Sequence, residues 1–126
     1  MKRYLLLISM LAAFVVESAA REVYRLNDDW TFYFRSENSA DDARNITLPH
    51  TWNLDALAGI SEYQRTTGNY MRRLYIPADW ASKRLFLRFD GVQTVADVFV
   101  NGYHVGEHRG GFTAFTFEIT GRVKFG

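Results

Sequence analysis

Apolar and polar residues alternate with a period of two along most of this chain, which is the signature of half-buried strands rather than helices. Trp30–Arg35 reads Trp-Thr-Phe-Tyr-Phe-Arg and places Trp30, Phe32 and Phe34 on one strand face. Ser36–Arg44 is small and polar and reads as a loop. Asn45–Leu48 is a short strand stopped by Pro49, which has no backbone N–H to give a ladder. Asn53–Thr67 is weakly patterned, holds Gly59, and reads as a loop with one helical turn. Gly68–Ile76 sets Tyr70, Arg72, Leu74 and Ile76 against Met71, Arg73 and Tyr75, and Pro77 ends it.

The second half of the chain is patterned more sharply. Lys83–Asp90 alternates Leu85, Leu87 and Phe89 against Phe86, Arg88 and Asp90. Val95–Val100 and Tyr103–Val105 flank Asn101-Gly102. That dipeptide between apolar runs predicts a type I′ hairpin turn, because both central residues need positive φ. Gly110-Gly111 breaks the chain, and Phe115, Phe117 and Ile119 then alternate with Ala114, Thr116 and Glu118. Val123 and Phe125 in Thr120–Gly126 look like the beginning of a further strand, so the sheet reads as incomplete at its C-terminus. Leu85, Leu87, Phe89, Phe99, Phe115, Phe117 and Ile119 are expected in a core between two sheets. Short strands with turn signals between them, and no sustained period of 3.6, predict an all-β antiparallel sandwich or jelly roll.

The first twenty residues change the composition that matters. Lys2-Arg3, the apolar run Tyr4–Val16 and the small residues Ser18, Ala19 and Ala20 have the three parts of a secretory signal peptide, with cleavage expected after Ala20. The apolar run falls short of the roughly 20 residues a spanning helix needs. The expected organisation is therefore a signal peptide at 1–20 and one β domain at 21–126, exported to the periplasm or the extracellular space, with no membrane attachment after cleavage. Without Lys2, Arg3 and Glu17, the basic and acidic residues balance. A neutral domain has no basic excess with which to grip phosphates, so nucleic acid is not an expected partner. The chain has no cysteine. Disulfides and a lipid-modified cysteine are thereby excluded, and the hydrophobic core alone must stabilise the exported domain.

Four segments, in order, resemble family 2 glycoside hydrolases of the β-galactosidase and β-glucuronidase type. Leu48-Pro49-His50-Thr51-Trp52-Asn53 resembles that family's entry segment LPHTWN. Gly68–Pro77 followed by Trp80 is similar to its G-x-Y-x-R-x-F-x-I-P…W strand. Lys83–Val92 followed by Ala96–Gly102 resembles R-x-x-L-R-F-[ED]-G-V…A-x-V-[YF]-V-N-G. His108–Phe115 resembles H-x-G-G-[YF]-T-P-F, with Ala114 where the family usually has Pro. The resemblance covers nearly all of residues 21–126. It implies a jelly-roll-like, galactose-binding-like β-sandwich, the family's non-catalytic sugar-binding domain. In that family an immunoglobulin-like sandwich and a (β/α)₈ barrel follow, and the barrel carries both catalytic glutamates. Retaining hydrolysis needs two carboxyl groups about 5 Å apart; no such pair is expected here, so the chain alone should be inactive.

No catalytic residue, cofactor or metal site is therefore expected. Asp90, Asp97, Glu107 and Glu118 read as solvated strand or turn residues. His50, His104 and His108 share no metal-ligand spacing and read as turn or edge residues. Trp30, Trp52 and Trp80 read as core or core-rim packing rather than a lectin's aromatic platform. The stretch Asn53–Thr67 carries the candidate sugar contacts Asp55, Glu62, Tyr63 and Arg65. They supply carboxylate and guanidinium groups for hydroxyls and an aromatic face for a sugar ring, and the resemblance implies that such a loop leans over the barrel mouth. The expected partner is a β-linked glycan bound in the context of a longer enzyme. A free-standing carbohydrate-binding module and an inert gene remnant are the alternatives. The residues leave the sugar, the linkage and the oligomeric state open.

Overall fold

The computed structural model describes residues 21–35 and 43–126. The proposed signal peptide and most of the Ser36–Arg44 loop lie outside the described residues. The chain divides into two compact units, Met1–Met71 and Arg72–Gly126. Both are built from antiparallel strands, and among the described residues the α-helical segment Leu54–Leu57 is a single turn. The all-β antiparallel expectation holds.

In the first unit, β1 (Trp30–Phe34) lies between β2 (Arg44–Ile46) and β3 (Gly68–Met71). Residues directly opposite in an antiparallel ladder share a face, and the register sets Arg44, Phe32 and Tyr70 in one row across the three strands. Phe32 is 1% exposed. The rings of Phe34, His50, Trp52 and Tyr70 lie 5.0, 4.7, 6.0 and 4.8 Å from it, centroid to centroid. Gly68 stands opposite Phe34, and a Cβ there would overlap the Trp52 ring. Trp52 is half-buried at the rim of this cluster, and Trp30, also half-buried, gives its indole N–H to the Leu26 carbonyl. β3 stops at Met71 rather than continuing to Ile76. Its ladder partner is β1, which cannot extend past Trp30 because Asp29 has a φ of 59° and turns the chain away. Alternation alone does not make a strand when the neighbouring strand has ended.

The second unit pairs β4 (Phe86–Phe89) with β7 (Phe115–Glu118), and β5 (Val95–Val100) with β6 (Tyr103–Arg109). Leu87 opposes Phe117 and Phe89 opposes Phe115, so the apolar set predicted for Lys83–Asp90 and Phe115–Ile119 shares one face. Asn101 and Gly102 have φ of 49° and 82°, as a type I′ turn requires. Ala96 and Val98 face inward, across from His108 and Gly106. The Phe117 ring rests on Gly106, where a Cβ would strike it. His108, on the edge strand β6, stacks on Phe115 at 4.1 Å, so of the turn and edge readings the edge one applies.

Two expectations for this unit are corrected. Phe99 is 61% exposed and does not join the core; Val98 does. Inward positions on β5 follow the parity of Ala96 and Val98, so Phe99 points outward, where its ring meets His104 at 5.0 Å. A β-bulge next to this pair brings Gly106 opposite Val98 and His104 opposite Phe99, leaving Val105 unpaired. The second correction concerns Thr120–Gly126, which forms no ladder. Thr120–Arg122 is a 3₁₀ turn closed by the Arg122 N–H on the Ile119 carbonyl, 2.9 Å. The Thr120 hydroxyl accepts the Leu85 N–H at 2.9 Å, occupying the donor that a longer ladder would have used.

Candidate functional site

The stretch Asn53–Thr67 is held at its base by one side chain. Asn53 is 6% exposed. Its amide NH2 donates to the Gln64 carbonyl at 2.9 Å, and its Oδ1 accepts the Gln64 N–H at 2.8 Å. One amide thus satisfies both backbone groups of Gln64 and imitates a ladder pair where none exists. The chain between them makes the helical turn Leu54–Leu57, closed by the Leu57 N–H on the Asn53 carbonyl at 3.2 Å. Gly59, with φ of 73°, ends it; positive φ after a helical turn favours glycine. Beyond the loop, the Arg35 N–H donates to the Thr67 carbonyl at 2.9 Å and starts the β1–β3 ladder.

The loop therefore has a fixed base and an exposed crest. Leu57 and Ile60 are each 76% exposed, and Leu54 and Tyr63 are also largely open to solvent. Of the four candidate sugar contacts, Tyr63 and Arg65 are brought together, with the guanidinium 5.7 Å from the ring centroid. Glu62 is exposed beside them in sequence. Asp55 falls in the helical turn, and its side chain lies outside the description. Asn53 was not among the sequence candidates. An Asn before a helical turn signals a local cap, but Asn53 makes no such bond and instead pairs with Gln64, eleven residues on, which no local pattern marks.

Elsewhere, several carboxylates meet basic side chains. Glu118 meets Arg84 through two bonds of 3.0 Å, Asp90 meets Arg88 at 3.1 Å, Glu107 meets Arg109 at 2.7 Å, and Asp97 meets His104 at 3.0 Å. The Arg84 pairing holds the Glu118 carboxyl below its ordinary range. Among the described residues no three His, Asp or Glu side chains converge as metal ligands would.

The sequence family described as "Glycosyl hydrolases family 2, sugar binding domain" matches residues 21–126. The chain belongs to family 2 of the glycoside hydrolases. A β-glucuronidase of Bacteroides fragilis is 56% identical over 109 residues, which is 86% of this chain and 16% of that protein. A β-galactosidase of Thermoanaerobacter pseudethanolicus is 32% identical over 120 residues, covering 84% of this chain and 15% of that protein. The crystal structure of a Bacteroides uniformis β-glucuronidase superposes with a TM-score of 0.71 at 36% identity, over 84% of this chain and 13% of that one. The chain thus spans 13–16% of the length of these glycoside hydrolases. The resemblance read from the four sequence segments, and the all-β domain it implied, are both established by these matches.

Proposed function

We propose that residues 21–126 are the non-catalytic sugar-binding domain of an exported family 2 glycosidase acting on β-linked glycans, with β-glucuronides favoured over β-galactosides. Family membership and the small share of the relatives' length support the domain assignment. The preference for glucuronides rests on the 56% identity to a protein of that name. Export rests on the Lys2-Arg3 start and the apolar run that follows it.

The observation that carries the role of the loop is the Asn53 clamp on Gln64. A buried amide fixes the base, so Glu62, Tyr63 and Arg65 are displayed at defined positions while remaining free to meet a ligand. Asp55 is the fourth member of the proposed contact set. A sugar held this way would use hydroxyl hydrogen bonds to charged groups and ring stacking on Tyr63. The pocket's other walls would come from elsewhere in the enzyme, since a sugar site encloses most of its ligand.

The test uses the full-length enzyme with chromogenic β-glucuronide, β-galactoside and β-mannoside substrates. Hydrolysis of the glucuronide is expected to dominate. Tyr63→Ala and Arg65→Ala should lower kcat/KM by about tenfold, the loss of one or two such hydrogen bonds or stacking contacts. Unchanged kinetics in both would remove the loop from the site. Purified residues 21–126 should show no turnover, because neither the nucleophile nor the acid/base of the retaining route is expected among them. N-terminal sequencing of the secreted protein should begin at Arg21; intact Met1 in the cytoplasm would refute export.

A further inference from the structure

Away from the loop, the first unit gathers three polar groups over one buried ring. Arg44, on the edge strand β2, holds its guanidinium 5.3 Å from the Phe32 centroid. His50 and Tyr70 flank the same ring, and His50 Nδ1 lies 2.8 Å from the Tyr70 hydroxyl. Tyr70 is 38% exposed and Arg44 is exposed, so the group is open on its outer side. Phe32 forms its floor at 1% exposure and offers no acceptor.

In the second unit Arg84, Arg88 and Arg109 each carry a carboxylate partner, whereas Arg122 lies over the Tyr103 ring. Among the described residues Arg44 is matched to no carboxylate; its contact is the face of Phe32. Its positive field reaches both neighbours. Burial and Arg44 together hold the His50 imidazole below its ordinary pKa, in that order of size. Burial raises the Tyr70 phenol, with Arg44 opposing. Both neighbours are therefore neutral near pH 7 and able to donate. If the Tyr70 O–H donates to Nδ1, the second ring nitrogen of His50 carries a proton outward. If Nδ1–H donates instead, the Tyr70 O–H is released to point outward. Either tautomer presents one neutral donor near a guanidinium that meets no carboxylate among the described residues.

We propose that Arg44, His50 and Tyr70 form a surface subsite for a carboxylate, separate from the Asn53–Thr67 loop. The guanidinium takes the carboxylate through two parallel N–H bonds, the geometry arginine favours for planar anions. The His50–Tyr70 pair supplies the third donor. The carboxylate belongs to a uronic acid or to a small organic acid; the chemistry is shared. The proposal stands on this geometry and does not depend on the reading of the loop or of the hydrolytic activity.

The test is titration of the full-length protein, labelled with ¹³Cε1-histidine, with D-glucuronate, acetate and glucose at constant ionic strength. The His50 resonance is assigned by its disappearance in His50→Gln. Glucuronate should shift it saturably and raise the pH at which it titrates, because a bound anion favours the imidazolium. Glucose should do neither. A response to acetate of equal affinity identifies the carboxylate alone as the ligand, whereas clearly tighter glucuronate binding identifies a uronic sugar. Arg44→Ala should weaken binding by about tenfold or more, Arg44→Lys by less, and Tyr70→Phe by several-fold, as expected for loss of charge-assisted bonds. Arg44→Lys keeps the charge on a long side chain, so its partial loss remains informative if Arg44→Ala folds poorly. No saturable shift, an equal response to glucose, or unchanged affinity in the Arg44 variants would overturn the proposal.

Discussion

In the first unit a single side chain, Phe32, draws its partners from five places in the sequence: Phe34, Arg44, His50, Trp52 and Tyr70. In the second, Phe115 meets a smaller set of rings, Phe89, His108 and Phe117, and is itself only half-buried. Burial there is spread along ladder rows, Leu87 with Phe117, Phe89 with Phe115, and Val98 with Gly106, and is completed by Ile119. A hub makes one position indispensable and frees its surroundings to carry polar groups, which is where Arg44, His50 and Tyr70 and the base of the loop are found. A ladder distributes the burden and leaves its outer face to matched ion pairs. Exposed pairs of that kind contribute little to stability, so the second unit depends on its row of aromatics and the first on its centre.

The sharpest way to break this comparison is to truncate the hub. Phe32→Ala removes a fully buried ring together with the floor beneath five partners, and should cost about 3–5 kcal/mol in chemical denaturation. Phe117→Ala, at a half-buried ladder position, should cost measurably less. Equal losses would mean that the second unit also has a centre. Next in size are the two glycines on which aromatic rings rest. Gly68→Ala must displace Trp52 and press on Phe32, and Gly106→Ala must displace Phe117. Each should cost about 1–3 kcal/mol, the usual range for overpacking. Combining Gly106→Ala with Phe117→Leu should recover part of the loss if the clash with the ring is its cause. Smaller again is Asn53→Ala. Gln64 is exposed, so water replaces the lost partner, and the change should be about 1 kcal/mol. Its signature is local: amide exchange should accelerate across residues 54–64 and leave β1–β3 protected.

The same contrast explains what could be read from sequence. Ladder structure is written locally. The alternation of Leu85, Leu87 and Phe89, the Asn101-Gly102 turn, and the Phe115–Ile119 pattern each need only a few adjacent residues, and each was legible. Phe99 lies on the opposite parity from Ala96 and Val98, and which parity faces inward depends on the β5–β6 pairing rather than on the alternation itself. The strand expected to reach Ile76 stops at Met71 because β1 turns away at Asp29, a fact about the partner strand and not about the residues in question. The hub was half legible. Trp30, Phe32 and Phe34 clearly share a face, but nothing in the order of residues shows that His50 and Tyr70 meet over Phe32, or that Arg44 aligns with both. The candidate loop was legible as a loop with one helical turn. Its clamp was not, since the Asn53 pairing with Gln64 spans eleven residues without a periodic signal.

The finest test of the hub is its response to pH. In the unfolded chain His50 titrates near 6.5. In the folded protein burial, and secondarily Arg44, lower that value. The unfolded state therefore binds the proton more readily than the folded state does. By linkage, the stabilisation is fully present above the unfolded value and is lost as pH falls from about 6.5 through the lower folded value, below which the curve flattens. Denaturation midpoints measured between about pH 5 and 8 should fall on the acid side of this window. Other groups also titrate there, so the informative quantity is the difference from a variant. His50→Gln keeps a hydrogen-bonding side chain beside Tyr70 and removes the titration, and should flatten the acid-side slope. Arg44→Ala should reduce the slope without abolishing it, because burial is the larger cause. A slope unchanged in His50→Gln would show that the imidazole over Phe32 is as well solvated when folded as when unfolded. A slope abolished in Arg44→Ala would make the guanidinium, rather than burial in the hub, the dominant influence on that side of the first unit.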